Sequence, residues 1–297
     1  MLVSVHYVSS RTSHDEDEGV MIMPTALVTG TRRGIGWAIT QRLTDAGWTV
    51  FAGVRDNAGV ERLAETDARI TPIRLDITDR EHLEELADLL PDRLDALVNN
   101  AAIAVLGPVE ALSTADLRRQ FDVNLVGQVA VTQLALPRLR TAGGRIVFIS
   151  STGGRSVVPM EGAYCSSKCA LEGIADALRV ELRPWNIPVS VVEPGPTDTE
   201  TWREVDTAID EMEAQLSPRH RDLYSLHVAG LRRNISRFGS ATTPPDAVAR
   251  VVERALTARR PRARYVVGGP AHAIIAMNAL LPARTGDAIG ARIAGLT

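Results

Sequence analysis

The chain has 297 residues, 45% of them hydrophobic, and a formal net charge of −3 at pH 7. This length and apolar content suit one large domain with a sizeable buried core. The slightly acidic balance provides no basic surface, so we expect neither nucleic acid nor an anionic membrane as a partner.

The start of the chain shows no targeting signal. Met1 to Ser10 lacks both a basic start and a continuous apolar run. Residues 1–23 include a polar, acidic stretch and are predicted to form a disordered extension. Met1 and the pair Met21 and Met23 are alternative starts of translation. No later segment approaches the roughly 18 consecutive apolar residues typical of a membrane span.

The two cysteines, Cys165 and Cys169, lie four residues apart in one predicted helix. A disulfide between them would strain the helix, so we expect free thiols in a reducing compartment and predict a cytoplasmic protein. The six histidines show no metal-ligand spacing, and we predict no metal site.

A glycine-rich turn follows the first predicted strand, Thr25 to Thr29. The segment Gly30 to Gly36 is GTRRGIG, and a predicted helix then extends to Ala46. A strand, a glycine-rich turn and a helix present backbone N–H groups to a pyrophosphate. The spacing G-x-x-x-G-x-G is weak evidence alone, but its position at the start of a βα unit indicates dinucleotide binding.

The end of the second predicted strand, Thr49 to Val54, bears on which dinucleotide binds. The strand is followed by Arg55 and Asp56. An arginine here accommodates the 2′-phosphate of NADP, whereas an acidic side chain binds the ribose of NAD. We favour NADP (NADPH), with Arg55 and Arg33 as a cationic clamp, and keep Asp56 as the alternative ribose ligand.

Polar residues follow the third predicted strand, Ile70 to Leu75. Asp76 precedes Ile77, and its carboxylate is either a turn group or a partner of the adenine amino group. Thr78, three residues before Glu81, predicts a capping box at the start of the next helix.

The fourth predicted strand, Ala96 to Val98, leads into the sequence NNAA at 99–102. The two amides can hold the sheet edge, and the small residues let a cofactor lie close. A long helix is predicted from Ser113 to about Leu139. Asn124 lies inside it between apolar neighbours, which indicates a buried amide with a hydrogen-bonding role.

The segment around Tyr164 carries the candidate chemistry. Arg145 to Ser150 is predicted as a buried strand, and Ser151 follows it. Tyr164 and Lys168 are four residues apart, which places them on one face of a helix. Of the 33 lysine and arginine residues, Lys168 is the only lysine.

An ammonium beside a phenol favours the phenolate, so we expect the pKa of Tyr164 to lie closer to neutrality than the usual value of about 10. The Ser151 hydroxyl can hold a carbonyl oxygen while the tyrosine protonates it.

The sixth predicted strand, Pro188 to Val192, leads to a stiff turn, EPGPTDT at 193–199, suited to a nicotinamide ring. The helical segment from Glu200 to Gly239 is predicted to be a substrate lid, over about 200–240. A helix opened by Thr243 to Asp246 and a last strand, Arg264 to Val267, follow. The apolar segment Ala271 to Leu281 is too short to span a bilayer. Apolar residues predicted to line the substrate pocket are Ile103, Val105, Leu106, Val157, Val158, Met160 and Trp202.

Strands that alternate with helices predict an α/β fold with a doubly wound, parallel, Rossmann-type sheet. We expect one domain over residues 24–297, with the lid as part of it.

The chain resembles the short-chain dehydrogenase/reductase family in its single-domain form, from about Pro24 to Gly268. The matching motifs are TGTRRGIG, NNAA, Asn124, Ser151, YCSSK and PGPTDT, in the family's order. The tail is most similar to the hydroxysteroid and retinol dehydrogenase branch. The family usually has glycine at the position of Ala102, where a methyl group would slightly crowd the cofactor.

The resemblance implies a catalytic tetrad. Tyr164 would be the acid/base, and Lys168 would lower its pKa and bind the nicotinamide ribose. Ser151 would hold the substrate oxygen, and Asn124 would fix a water in the proton relay. The predicted cofactor-binding residues are Gly30, Arg32, Arg33, Gly34, Ile35, Gly36, Arg55, Asp76, Ile77, Asn100, Ala101, Tyr164, Lys168, Pro194, Gly195, Thr197 and Thr199.

The expected function is an NADP(H)-dependent oxidoreductase that transfers a hydride between nicotinamide and a ketone or secondary alcohol, with a lipophilic small-molecule substrate. The alternative is a catalytically silent NADP-binding regulator on the same fold. A nucleotide-sugar epimerase would need a differently spaced glycine turn. The resemblance also implies a homo-oligomer, either a dimer or a tetramer built on the two long helices.

Overall fold

The computed structural model describes residues 23–239 and 241–296. The predicted disordered extension therefore lies, except for Met23, outside the described residues.

Seven parallel strands form one sheet with the order β3-β2-β1-β4-β5-β6-β7. The strands are β1 (Thr25–Thr29), β2 (Thr49–Val54), β3 (Ile70–Arg74), β4 (Ala96–Asn99), β5 (Arg145–Ile149), β6 (Val189–Pro194) and β7 (Arg264–Val267). The strand order reverses between β1 and β4, where Leu27 pairs with Leu97. Ligands of such sheets bind outside the carboxyl ends of the strands at this reversal. The predicted doubly wound parallel sheet is confirmed.

Helices connect the strands and cover both faces of the sheet. They are α1 (Gly34–Asp45), α2 (Asn57–Ala64), α3 (Arg80–Leu89), α4 (Thr114–Phe121), α5 (Gln128–Ala142), α6 (Gly162–Glu181), α7 (Glu200–Arg203), α8 (Val205–Gln215), α9 (Pro218–Gly239), α10 (Pro245–Thr257), α11 (Gly269–Leu280) and α12 (Ala283–Ile293). No helix in residues 23–239 and 241–296 is long and apolar enough to cross a membrane.

The core consists of two apolar layers, one on each face of the sheet. Val28 packs with the residues of α1 and α10, and its neighbour Leu27 packs with those of α5 and α6 on the other face. Successive residues of a strand point to opposite faces, so strands covered on both sides need the continuous apolar runs seen in the sequence.

A third apolar cluster lies away from the sheet. Its buried members are Met160, Ile209, Met212, Leu216, Val228 and Leu231. Four of these belong to α8 and α9, Leu216 lies in the connection between the two helices, and Met160 comes from the loop before α6. The helical segment predicted as a lid therefore has its own small core.

Three local expectations were wrong. Thr78 does not cap α3, because the Asp79 carboxylate accepts the N–H groups of Glu81 and His82 and the Thr78 hydroxyl donates to Asp76 instead. Carboxylates are strong N-cap groups, so Asp79 takes the capping position one residue later.

The predicted long helix is also interrupted. A π-helical turn, Asp122–Gly127, separates α4 from α5 and contains Asn124. Such turns insert one extra residue per turn and often occur at functional sites.

The sixth strand also ends later than predicted. β6 includes Glu193 and Pro194, which pair with Val266 and Val267 of β7. The proline is tolerated because it is the last residue of the strand.

Candidate active site

Ser151 and Tyr164 meet at the carboxyl end of β5. Ser151 follows the strand and caps a short 3-10 turn, because its Oγ accepts the N–H of Gly153 at 3.1 Å. Tyr164 lies in the first turn of α6, and Ser151 Oγ would lie 3.5 Å from a Cβ on Gly153. A Cβ on Gly153 would lie 3.4 Å from Cε1 of Tyr164, so the turn packs closely against the phenol ring.

Lys168 lies one turn further along α6 and is almost completely buried, at 1% exposure. Its Nζ donates to the carbonyl of Ile149 at 2.8 Å and lies 5.8 Å from the centre of the Tyr164 ring. Burial lowers the pKa of Lys168 to about 8, and the charge of Glu172 opposes that shift. The three residues predicted to act together are thus adjacent.

The pKa of Tyr164 differs from the expectation. Burial raises the pKa of Tyr164 to about 12, and the neighbouring Ser151 hydroxyl only partly offsets that rise. Lys168 does not lower the pKa of Tyr164 as expected, because its ammonium donates to the carbonyl of Ile149 at the end of β5. A phenol with this pKa is protonated at neutral pH and suits a proton donor rather than a base.

Asn124 is buried in the π-helical turn and forms three hydrogen bonds. Its amide exchanges two bonds with the backbone of Ile103, at 2.9 and 3.0 Å. Its Nδ2 also donates to Ser167 Oγ at 3.0 Å, and Ser167 in turn donates to the carbonyl of Tyr164 at 2.7 Å. Asn124 therefore joins the loop after β4 to the helix that carries the tyrosine.

The glycine-rich turn leaves no space for side chains. Gly30 and Gly34 have φ values of +71° and +60°, a conformation that favours glycine. A Cβ on Gly36 would lie 2.2 Å from the Gly30 carbonyl oxygen and 2.5 Å from Asn100 Nδ2. Helix α1 has no side-chain N-cap bond, so its first N–H groups remain available. This cradle fits a dinucleotide pyrophosphate.

The cationic residues near the glycine turn are partly engaged in ion pairs. Arg32 pairs with Asp56 at 2.7 Å, and Asp56 also caps α2 through Gly59 N. Arg33 forms two hydrogen bonds with Glu204. None of the ion pairs within the described residues involves the exposed Arg55. Asp56, the alternative ribose ligand, is thus committed to two other partners.

Asp76 and Ile77 lie beside this region after β3. Partial burial opposes ionisation of Asp76, but hydrogen bonds from Thr78 and the charges of Arg55 and His82 lower its pKa. Ile77 is buried in the core below the sheet edge. Its carbonyl oxygen would be 2.6 Å from a Cβ on Gly127, so it packs against the end of the π-helical turn.

Asn100 and Ala101 hold the end of β4 against β1. Asn100 Nδ2 donates to the carbonyls of Thr29 and Gly30. The backbone N–H groups of Asn100 and Ala101 both donate to Thr29 Oγ1. Ala102 is exposed and does not have a positive φ, so this backbone does not require the glycine that the family usually has.

The turn after β6 closes the other side of the site. Gly195 N donates to the carbonyl of Val267 at 2.9 Å, and Thr197 Oγ1 donates to the Gly195 carbonyl at 3.0 Å. Thr199 caps α7, and its Cγ2 would be 3.1 Å from a Cβ on Gly34. The two predicted halves of the cofactor site therefore come together around the carboxyl ends of the strands.

Comparison with known proteins identifies the family of this chain. The family model described as short chain dehydrogenase matches residues 24–210. The chain belongs to the short-chain dehydrogenase/reductase family. It is therefore an oxidoreductase acting on CH–OH or C=O groups, on a fold that binds a nicotinamide cofactor.

This short-chain dehydrogenase/reductase is similar to several named enzymes. It is 34% identical to the 3-amino-tetrahydro-pyrrolizinone reductase of Xenorhabdus hominickii, over 84% of this chain and 89% of the relative. It is 33% identical to mouse retinol dehydrogenase 5, over 88% of this chain and 86% of the relative. A short chain dehydrogenase from Burkholderia cenocepacia, solved in complex with NADP, aligns with a TM-score of 0.70 and 26% identity, covering 91% of this chain and 97% of that one.

Several buried polar residues of this short-chain dehydrogenase/reductase escaped sequence reasoning. Thr29 accepts two backbone N–H groups, Gln120 holds the backbone of Ile103 and Val105, and Gln128 donates to the carbonyl of Ala101. Polar residues inside apolar stretches were the available signal, the same signal that identified Asn124.

One acidic residue near the tyrosine was also missed. Glu161 precedes α6, and burial raises its pKa to about 7. Burial is the main cause of the raised pKa of Tyr164, and the negative charge of Glu161 raises that pKa further. Glu161 thus gives the surroundings of the phenol an anionic component.

The predicted pocket residues fall into different surroundings. Val105 and Met160 are buried, whereas Val157 is 64% exposed. Met160 packs into the core of α8 and α9 with a φ of +72°, an uncommon value for a residue other than glycine. It ties the catalytic loop to the helical segment.

Proposed function

We propose that the protein is an NADPH-dependent reductase of a ketone, with Tyr164 as the proton donor. The proposal rests on one observation: the Ser151 hydroxyl and the Tyr164 ring converge on Gly153 at the end of β5, and the buried Lys168 lies one turn further along α6. The same site would oxidise the corresponding secondary alcohol with NADP.

The proposed chemistry adds a hydride to the carbonyl carbon and a proton to its oxygen. When bound, nicotinamide supplies the hydride. Ser151 would orient the carbonyl oxygen, and Tyr164 Oη would give its proton to the developing alkoxide. The Lys168 ammonium would bind the nicotinamide ribose and stabilise the resulting phenolate. Asn124 would fix a water in the relay that returns a proton.

The proposed cofactor preference rests on positive charge beside the glycine turn. Arg55 is exposed, and its charge lowers the pKa of Asp76. Arg32, next to Arg33 in the glycine turn, pairs with Asp56, the residue after Arg55. Guanidinium groups bind phosphate through paired N–H donors. The Burkholderia relative solved with NADP supports the same choice. Residues proposed to contact the rest of the dinucleotide are Gly30, Gly34, Ile35, Gly36, Asp76, Ile77, Asn100, Ala101, Pro194, Gly195, Thr197 and Thr199.

The proposed substrate is largely apolar. The loops after β4 and β5 contribute aliphatic side chains at the carboxyl ends of the strands, and α7 contributes Trp202. Such walls bind by the apolar area they remove from water. The helices α7 to α9 would act as the lid, anchored through Met160.

A silent regulatory role has no support among the relatives, which are named reductases and dehydrogenases. We further propose a cytoplasmic homo-oligomer. Both cysteines are free, which supports a reducing compartment. Val126 in the π-helical turn and Val180 in α6 are exposed apolar residues that self-association would cover.

The test is oxidation of NADPH by the full chain with a panel of ketones graded in polarity. We expect turnover of lipophilic ketones. Tight NADPH binding without turnover of any ketone would contradict the proposal and favour the regulator. Better turnover of small charged ketones than of lipophilic ones would contradict the substrate class alone.

A further inference from the structure

A cluster of buried charges lies behind the catalytic strand. Glu172 of α6 and Glu193 of β6 are 4% and 0% exposed. Arg264 of β7 lies between them, with its Nε 3.3 Å from Glu172 Oε2 and 3.2 Å from Glu193 Oε1. Arg155, from the loop after β5, is 3.5 Å from Glu193. Buried carboxylates are costly unless paired, and the two arginines lie within ion-pair distance of them, although neither oxygen of Glu193 accepts a hydrogen bond.

Glu172 reaches the catalytic segment from two directions. Its Oε1 accepts a hydrogen bond from Ser150 Oγ at 2.9 Å, next to Ser151 in the chain. It also lies one turn after Lys168 on the same face of α6. Lys168 in turn donates to the carbonyl of Ile149, next to Ser150. Glu172 and Lys168 therefore hold the same end of β5.

The charges around Glu172 come from every element packed against it. Lys168, Cys169 and Asp176 lie on its own helix, Arg264 on β7, Glu193 on β6 and Arg155 in the loop after β5. Arg264 is also bound to Asp176 at 2.8 Å, which fixes the guanidinium. Burial and the charge of Glu172 raise the pKa of Glu193. Glu172 is the group whose charge opposes the effect of burial on Lys168.

We propose that Glu172 is a positioning residue for the reaction: it keeps the Lys168 amine charged in its buried site and fixes the strand end that presents Ser151. Arg264 holds the Glu172 carboxylate in place for this purpose. The proposal rests on the proposed function only for the role of Lys168, and the charge of that lysine is measurable without turnover.

The test uses the fact that the chain has one lysine. Growth with lysine labelled with carbon-13 at Cε gives one side-chain NMR signal, which moves as the amine titrates. In the full-length protein without added cofactor, we expect a midpoint near pH 8. In Glu172→Gln the midpoint should fall by about one unit, because an opposing charge is lost. The neutral fraction at pH 7 then rises about fivefold.

Glu193→Gln is the matched control, since it removes an equally buried carboxyl from the same cluster. Its midpoint should stay at the wild-type value. Glu172→Asp keeps the charge on a shorter stem, so its midpoint should stay close to that of the wild type. If Glu172→Gln does not fold, Glu172→Met removes the same charge with a side chain of similar length and should give the same fall. Equal midpoints in Glu172→Gln and wild type, or an equal shift in Glu193→Gln, would overturn the proposal.

Kinetics separate this proposal from the proposed function. The alkaline limb of ketone reduction should move with the lysine midpoint in each variant. A shifted NMR midpoint with an unmoved pH profile would refute the role of Glu172 in the reaction. A fully active Tyr164→Phe would instead refute the proposed function and leave the NMR result intact.

Discussion

Arg33 donates two hydrogen bonds, of 2.6 and 2.8 Å, to the carboxylate of Glu204. This pair joins the glycine-rich turn to the start of α8. The Glu204 carboxylate therefore occupies the guanidinium face that we assign to the 2′-phosphate of NADP.

Glu204→Gln should tighten NADPH binding, because the phosphate no longer competes with a carboxylate for Arg33. We expect the Kd for NADPH to fall about threefold, since exposed ion pairs contribute roughly 0–1 kcal/mol. Affinity for NADH should not change. Calorimetric titration measures both, with Glu211→Gln as an exposed control on α8. A parallel change for both cofactors would argue against phosphate recognition by Arg33.

Arg55→Asp should reverse the cofactor preference. The parent should bind NADPH more tightly than NADH, and the variant should bind NADH more tightly, because an acidic group at this strand end repels the phosphate and accepts the ribose hydroxyls. The measurement is the ratio of kcat/KM for the two cofactors. Equal affinity of the parent for both would contradict the assignment.

Tyr164→Phe should reduce kcat at least about 100-fold while NADPH affinity stays nearly unchanged, because the ring remains and only the proton donor is lost. Tyr265→Phe is the matched control. Its hydroxyl accepts the N–H of Arg262 on the far side of the sheet, so its loss should affect stability and leave kcat near the parent value. Substantial activity in Tyr164→Phe would mean that another group protonates the product.

The rates of ketone reduction and of alcohol oxidation should depend on pH in different ways. Ketone reduction needs the phenol protonated and Lys168 charged. With pKa values of about 12 and about 8, only the lysine changes in the accessible range, so kcat/KM should be level near neutrality and fall above about pH 8. Alcohol oxidation needs the phenolate and the charged lysine together, so its rate should rise with pH up to about pH 8. Above that, the gain in phenolate is offset by the loss of lysine charge, and the rate should become level. Reduction that stays constant well above pH 8 would contradict the role of the lysine charge.

Gly36→Ala should weaken cofactor binding and lower Tm, because the new methyl group would lie 2.2 Å from the Gly30 carbonyl oxygen. Gly173→Ala is the control, since a Cβ there meets nothing within 4 Å. An exposed glycine in a helix interior costs roughly 0.5–1 kcal/mol relative to alanine, so Gly173→Ala should raise Tm. Thermal unfolding with and without NADPH measures both effects. Unchanged NADPH affinity in Gly36→Ala would show that the glycine turn does not bind the cofactor.

The fold was predictable because its signals are local. β1, β2 and β7 begin and end where the apolar runs do, and the glycine turn precedes a helix as expected. Ser151, Tyr164 and Lys168 were predictable as neighbours because one strand and one helix determine their relation. The capping of α3 by Asp79 was misassigned because two adjacent residues could each serve as cap.

The remaining features depend on packing between distant segments. The pairing of Glu172 with Arg264 joins residues far apart in the chain. The high pKa of Tyr164 comes from burial, which no local pattern encodes. The π-helical turn at Asn124 has no sequence signature of its own beyond a polar residue among apolar ones.

The separate core of α8 and α9 bears on how such enzymes diversify. The sheet has complete apolar layers of its own, and among the buried members of the third cluster only Met160 comes from outside the segment formed by α8, α9 and their connection. The core of this helical segment is thus nearly independent of the sheet. It is joined to the catalytic region through Met160, in the loop before α6. Evolution or an engineer could exchange this helical segment to change substrate range while leaving the redox scaffold intact, provided that position 160 matches the new helices.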